Sequence, residues 1–229
     1  MVRSKALALI ALMVLLGFPQ EYARAQAPAS DVEDLGDGRY RIGAIEIDQR
    51  AGRFSVPGAV LEIDTDAMPI EFLAVTRGGF KAYEATIELD TNAVAFNLAC
   101  ILIGLDAEHA TPPAYHFDPA VLRGDAVDLR VRWLERGEQH EYPLGELLRN
   151  EGGPVTHDWV YIGSRFTEDG TYMAESFGTL IGVVHDPDSI LQHRTGLGLG
   201  DYGAVTANPT LMPPAATRVE VLVSRSQVR

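Results

Sequence analysis

Five side chains able to ligate a metal ion lie close together in the chain: Asp106, Glu108, His109, His116 and Asp118. Imidazole nitrogens and carboxylate oxygens together suit zinc or another divalent ion. Their spacing matches no established ligand motif, and Pro112-Pro113 stiffens the loop between them, so the alternative is a solvated acidic loop. A second group, Trp159, Tyr161 and Arg165, offers other chemistry. Alternation along a strand puts Trp159, Tyr161 and Gly163 on one face, either as hydrophobic core or as the wall of a ligand groove in which Arg165 recognises a carboxylate or another anion.

The remaining patterns carry less. Gly198-Leu199-Gly200-Asp201-Tyr202-Gly203 has the glycine spacing of a dinucleotide site. That chemistry needs a strand before it and a helix after it, and the surrounding residues form neither pattern, so the segment reads as a flexible loop. His157-Asp158 and His185-Asp186 place imidazole beside carboxylate in sequence, but neighbours on a strand point to opposite faces, which counts against a dyad. Ser164 lacks the Gly-x-Ser-x-Gly elbow of a serine hydrolase. The single cysteine, Cys100, lies in the apolar run from Phe96 to Ile103 and reads as a small buried hydrophobe, unable to form an internal disulfide. No catalytic motif stands out, and no cofactor is identified beyond the divalent metal that residues 106–118 could hold.

The elements that must position these groups begin after a leader. Arg3 and Lys5 precede an apolar run from Ala6 to Phe18, and Ala23-Arg24-Ala25 supplies small residues at a cleavage site. This is the pattern of a secretory signal peptide over Met1 to Ala25. The run is shorter than the roughly 20 apolar residues that span a bilayer, and no cysteine lies at the cut to carry a lipid. A free, soluble product, periplasmic or extracellular, is therefore expected. Residues 26–39 read as a disordered lead-in and residues 40–225 as one globular domain.

Within that domain, Tyr40 to Asp48 and Arg53 to Pro57 read as a hairpin, followed by strands over Ala59 to Ile63, Ile70 to Thr76 and Ala82 to Leu89. The Ile70 to Thr76 strand is expected to be covered on both faces. Asn92 to Ile103 is a helix capped by Thr91 or Asn92 and ended by Gly104. Its apolarity on every face places it inside the domain. Val127, Leu129, Val131 and Trp133 alternate with charged residues as a half-buried strand. A short helix over Leu144 to Arg149, a hairpin from Trp159 to Ala174, a strand over Thr179 to Val184, a brief helix after Asp186-Pro187, an irregular stretch over Thr195 to Pro214 and a closing strand over Arg218 to Val223 complete the reading. The expected fold class is α+β, a mainly antiparallel sheet packed around one buried central helix.

Nineteen Lys and Arg face 32 Asp and Glu, a formal net charge of −13. Such a surface argues against nucleic acid and anionic lipid, which both require basic patches.

These elements in this order resemble the YdjY-type domain family of exported bacterial proteins. The resemblance rests on Ile70-Glu71-Phe72-Leu73-Ala74-Val75-Thr76-Arg77-Gly78-Gly79, on Leu98 to Leu105, and on Trp159-Val160-Tyr161-Ile162-Gly163-Ser164-Arg165-Phe166, followed by Gly178-Thr179-Leu180-Ile181 and Asp186-Pro187. It implies no particular activity, substrate or catalytic residue. Some proteins bearing the family's name are described as ferredoxin-like, but a four-iron cluster wants four thiolates and only Cys100 is present, so no iron–sulfur cluster is carried over.

The expected function is that of an exported, soluble, non-catalytic binding or assembly module of the cell envelope, its partner an envelope protein or a small ligand. The alternative is a metal-dependent enzyme or metal-binding protein using residues 106–118. The leader makes its own prediction: secreted protein begins at Gln26. Intact-mass measurement of the exported product checks it, and a product that retains Met1 overturns it.

Overall fold

The computed structural model describes residues 31–63, 68–151, 153–200 and 202–226. The leader over residues 1–25 lies outside the described residues. Fourteen strands and two helices follow in order: β1 (Val32–Gly36), β2 (Arg39–Ile42), β3 (Ile45–Asp48), β4 (Arg53–Val60), β5 (Phe72–Thr76), β6 (Ala85–Leu89), α1 (Ala93–Leu102), β7 (Asp125–Glu135), β8 (Glu138–Pro143), β9 (Leu148–Asn150), β10 (Trp159–Tyr161), α2 (Met173–Phe177), β11 (Thr179–Gly182), β12 (Leu191–His193), β13 (Val205–Ala207) and β14 (Arg218–Arg225).

Eight of these strands close on themselves. The ring runs β4, β14, β7, β10, β12, β11, β5 and β6, and returns to β4. Two of its pairs, β11 with β12 and β5 with β6, are parallel, and the others are antiparallel. Strand β4 serves three neighbours. One edge pairs with β14 along its length, while the other pairs first with β3 and then with β6. The hairpin strands β1, β2 and β3 thus extend the sheet beyond the barrel wall, and β8 extends it from β7.

Closure depends on Gly58. A Cβ there would stand 2.5 Å from the Glu88 carbonyl oxygen and 2.8 Å from a Leu89 methyl group, so a side chain would hold β6 away from β4. Asp90, just past β6, binds the guanidiniums of both Arg77 and Arg218 and so ties the ends of β5 and β14 to the seam. Partial burial opposes ionisation of Asp90, but the hydrogen bonds from Arg218 and Arg77 outweigh it and hold the carboxyl below its ordinary range.

Period-two alternation fills the interior. Val56, Val221 and Val131 are direct cross-strand partners on β4, β14 and β7, and all three are fully buried. Strand β5 is buried on both faces, as expected, because Phe72 and Val75 pack with Ala85 in a separate small cluster.

The expectation of a sheet packed around a central helix is overturned. The fold is mainly β, and the barrel interior is occupied by strand side chains. Helix α1 touches strands three places apart in the ring, through Phe96 on Phe54 of β4 (ring centroids 5.3 Å apart) and through Asn97, whose Oδ1 accepts from Tyr161 Oη of β10 at 2.8 Å. It therefore lies across one end of the barrel. Its outer residues Val94 and Ile101 are exposed. Apolarity on every face did not mean burial on every face, because a lid buries only its inner side. Its ends match the expectation: Asn92 Oδ1 accepts from Ala95 N at 2.7 Å, and Gly104 takes a positive φ of 88°. The carboxylate of Glu175 in α2 also accepts from Ala93 N, adding a distant cap.

Local expectations changed elsewhere. Residues 32–39, read as lead-in, are paired in β1 and β2 with the turn between them. Met173–Phe177 is helix where a strand was expected, the residues after Pro187 form turns before β12, Leu144–Leu147 is a single 3-10 turn, and the irregular stretch contains β13, paired with β9. No helix among the described residues is long and apolar enough to cross a membrane.

The seam yields a test. Gly58→Ala is expected to lower unfolding free energy by about 1–3 kcal/mol through overpacking. Gly200→Ala, where a Cβ meets nothing within 4 Å, should leave it unchanged. Urea denaturation of both variants measures the difference, and equal stability would refute the role given to Gly58.

Candidate functional site

Residues 106–124 cross from α1 to β7 and hold themselves in shape with short carboxylate turns. Asp106 accepts from Glu108 N at 2.8 Å, while Asp118 accepts from Ala114 N at 2.7 Å and Ala120 N at 2.9 Å. Those two donors hold the Asp118 carboxyl below its ordinary range. Buried His185 stitches this loop to the barrel. Its Nδ1 lies 2.5 Å from Asp118 O and its Nε2 3.0 Å from His193 O, and its own carbonyl accepts from Phe117 N. Phe117 takes a left-handed φ of 64°, which turns the chain at the point where His116 leaves it.

That turn brings His116 to Glu71. The Nε2 to Oε2 distance is 3.0 Å, with Glu71 buried and His116 half-exposed. The Glu71 oxygen lies within hydrogen-bond distance of the ring nitrogen but the contact is poorly aligned. The Glu71 backbone is held from both sides, its N–H donating to Glu84 O at 3.0 Å and its carbonyl accepting from Val183 N at 2.8 Å. Lys81 stands nearby. Its Nζ donates to Glu84 Oε1 at 2.6 Å and lies 5.7 Å from the centre of the Tyr83 ring and 5.9 Å from that of Phe72. Two buried carboxylates, Glu71 and Glu84, are thus each faced by a basic side chain, His116 and Lys81.

These neighbours move the titration of the charged groups. The Glu71 carboxylate raises His116 above the ordinary histidine value, with partial burial opposing and Asp186 adding to the rise. Burial works to lower Lys81, but Glu84 outweighs it and the ammonium ends up raised. Burial, then the Asp188 charge, pushes the Asp186 carboxyl up.

Around this charged centre stand aromatic rings that the fold leaves in water. Tyr83 and Tyr115 are each 58% exposed and Tyr202 is 69% exposed. Phe117 stands between His116 and Tyr202, 4.3 Å from the first ring and 6.5 Å from the second. The cleft beside Glu71 holds about 10 Å³, room for a single water-sized group, and Gly198, Tyr202 and Gly203 form part of its wall. The glycine-patterned loop is thus a side wall, and no helix follows it to receive a pyrophosphate.

The five metal candidates are not brought together. His116 turns to Glu71, the Asp106 and Asp118 carboxylates accept within their own loop, Glu108 and His109 are exposed, and among the described residues no three His, Cys, Asp or Glu side chains converge on one point. Trp159 and Tyr161 are core residues, the first edge-on to His193 at 5.1 Å and the second bonded to Asn97. Arg165 is exposed and donates to Asp188 Oδ1 at 2.7 Å. Neither sequence-adjacent His-Asp pair forms a dyad: Asp158 binds Arg194, and Asp186 accepts from Ser189 Oγ and Asp188 N. Ser164 Oγ donates to Asp188 O. Cys100 is fully buried, which pushes its thiol well up.

Sequence reasoning missed Glu71, Lys81, Glu84, Tyr83 and Tyr202. Glu71 did leave a signal, a single charge inside the apolar run from Ile70 to Val75.

A family model described as YdjY domain matches residues 45–224. No curated protein and no solved structure matches the chain.

The His116 pairing has a pH signature. Its raised value means that the attraction to Glu71 is fully present below the ordinary histidine pKa of about 6.5 and is lost as pH rises through the raised one. An NMR titration should find the His116 midpoint above about 6.5, moving back toward it in Glu71→Gln. A midpoint indifferent to Glu71→Gln would break the assignment.

Proposed function

The chain belongs to the YdjY domain family, and from that premise we propose that it is a non-catalytic binding module of the cell envelope whose binding face is the aromatic rim around His116 and Glu71. One observation carries this reading. Two buried carboxylates are each paired with a basic side chain, beside Tyr83 and Tyr202, whose rings are more than half exposed to water. Burying charge and exposing aromatic surface are both unfavourable in a monomer, and their coincidence marks a surface shaped for a partner.

The shape favours binding over turnover, because a cleft of about 10 Å³ encloses no substrate. Export, which would deliver the chain to the envelope, is supported by the leader from Met1 to Ala25. A ligand suited to this rim offers flat apolar faces to Tyr83, Tyr115 and Tyr202 and oxygen acceptors to His116 and Lys81, as the sugar units of wall polymers do.

Co-sedimentation of the protein from Gln26 onward with purified cell-wall polymer tests the proposal. Retention should fall at least about fivefold in the Tyr83→Ala/Tyr202→Ala double variant, a loss of roughly 1 kcal/mol or more of binding, with the polymer recovered uncut. Unchanged retention in the double variant, no retention of the parent protein, or cleavage of the polymer would each defeat it.

A further inference from the structure

A second surface, on the outside of β2, β3 and β4, gathers arginines on an otherwise acidic molecule. In a chain of net charge −13, a groove of about 320 Å³ is lined by Arg39, Arg41, Arg53 and Arg132 against only Glu46 and Asp48. Strand register builds this arrangement. Arg39 is directly opposite Asp48, and Asp48 is directly opposite Arg53, so all three project from the same face of adjacent strands. With strands about 4.8 Å apart, the two arginines stand roughly 10 Å from each other at the backbone, within reach of one bound group through their long side chains.

The four arginines divide into two pairs. Arg41 is held by Glu33 at 3.1 Å and Arg132 by Glu220 at 2.5 Å. Arg39 and Arg53 make no ion pair among the described residues, although Asp48 lies between them in register. The Asp48 carboxylate is drawn instead into the β3–β4 turn, where Oδ1 accepts from Ala51 N at 3.0 Å. Two forked donors are thereby left without an ion pair to any acid among the described residues, in a groove whose lining also includes Leu222 and Leu35.

We propose that this groove is a binding site for a small organic anion bearing a phosphate or carboxylate group, held by the guanidiniums of Arg39 and Arg53. A planar or tetrahedral oxyanion accepts two N–H bonds from each guanidinium, a geometry that water satisfies without the charge and that lysine does not reproduce. The volume sits at the lower end of ordinary small-molecule sites, which sets the ligand's size, and Leu35 and Leu222 give its carbon skeleton an apolar contact. This site is separate from the rim and does not depend on the function proposed for it.

Amide NMR titrations with inorganic pyrophosphate and, separately, citrate test the assignment in about 0.15 M salt, where loose surface attraction is screened. Saturable shifts centred on β2, β3 and β4 are expected with at least one probe, weakening about tenfold in Arg39→Gln/Arg53→Gln, a difference of about 1.4 kcal/mol. They should be only partly restored in Arg39→Lys/Arg53→Lys. The spectrum of each variant reports directly that it is folded. Arg136→Gln, on the turn between β7 and β8, and the Tyr83→Ala/Tyr202→Ala rim variant should bind as the parent does. Response to pyrophosphate alone or to citrate alone identifies the head group. No saturable shift with either probe, shifts that survive Arg39→Gln/Arg53→Gln, or an equal loss in Arg136→Gln would overturn the proposal.

Discussion

Closure of the eight-strand ring through β4 is the constraint on which the other features rest. Strand β4 must pair with β14 on one edge and with both β3 and β6 on the other, and the last pairing requires β6 to approach closer than a Cβ at position 58 permits. Once the seam is closed, the barrel strands have hydrogen-bonded neighbours on both sides, and free sheet edges are displaced to β1 and β8, outside the ring. The inward-facing residues then need no helix among them, which leaves α1 to cover an end of the barrel.

The same closure assembles the charged rim. Parallel pairing of β5 with β6 sets the backbone of Glu71 against Glu84, so that two carboxylates enter the protein side by side. Neither could remain there as an isolated charge, since desolvating a carboxylate costs several kcal/mol unless a cation or donors compensate. Lys81 compensates from the turn before β6, and His116 from a loop far along the chain. His185 makes the second arrangement dependable by fixing that loop to β12. The exposed tyrosines therefore border a centre whose charges are held in place by backbone pairing.

Individual elements were legible to different degrees. The alternation in β7, the closing strand β14 and the ends of α1 were readable, because period and capping are properties of short segments. The family was readable for a related reason: its signatures are local runs, and the family model matches residues 45–224. Met173–Phe177 was misread because Glu168-Asp169-Gly170 resembles a hairpin turn, while the helix after it is stabilised by contact with α1 and by Gly178 in a left-handed conformation. The residues after Pro187 were misread because Asp186 has the composition of a helix cap but closes a turn on Ser189 and Asp188. At the site, His116 and Asp118 were singled out as metal candidates, and Glu71, which His116 meets in the fold, was passed over as part of a strand.

What the sequence by itself determined was the strands β4, β5, β7, β11 and β14 in outline, the ends of α1, the family and the acidic balance, all of which follow from residue type and short-range period. What only the tertiary structure decided was that the sheet closes into a barrel, that α1 caps it, that His116 meets Glu71, and that Arg39 and Arg53 share a groove. Each of these joins residues on different strands or loops. Period and propensity describe which face a residue presents, and only the packed chain fixes what that face meets.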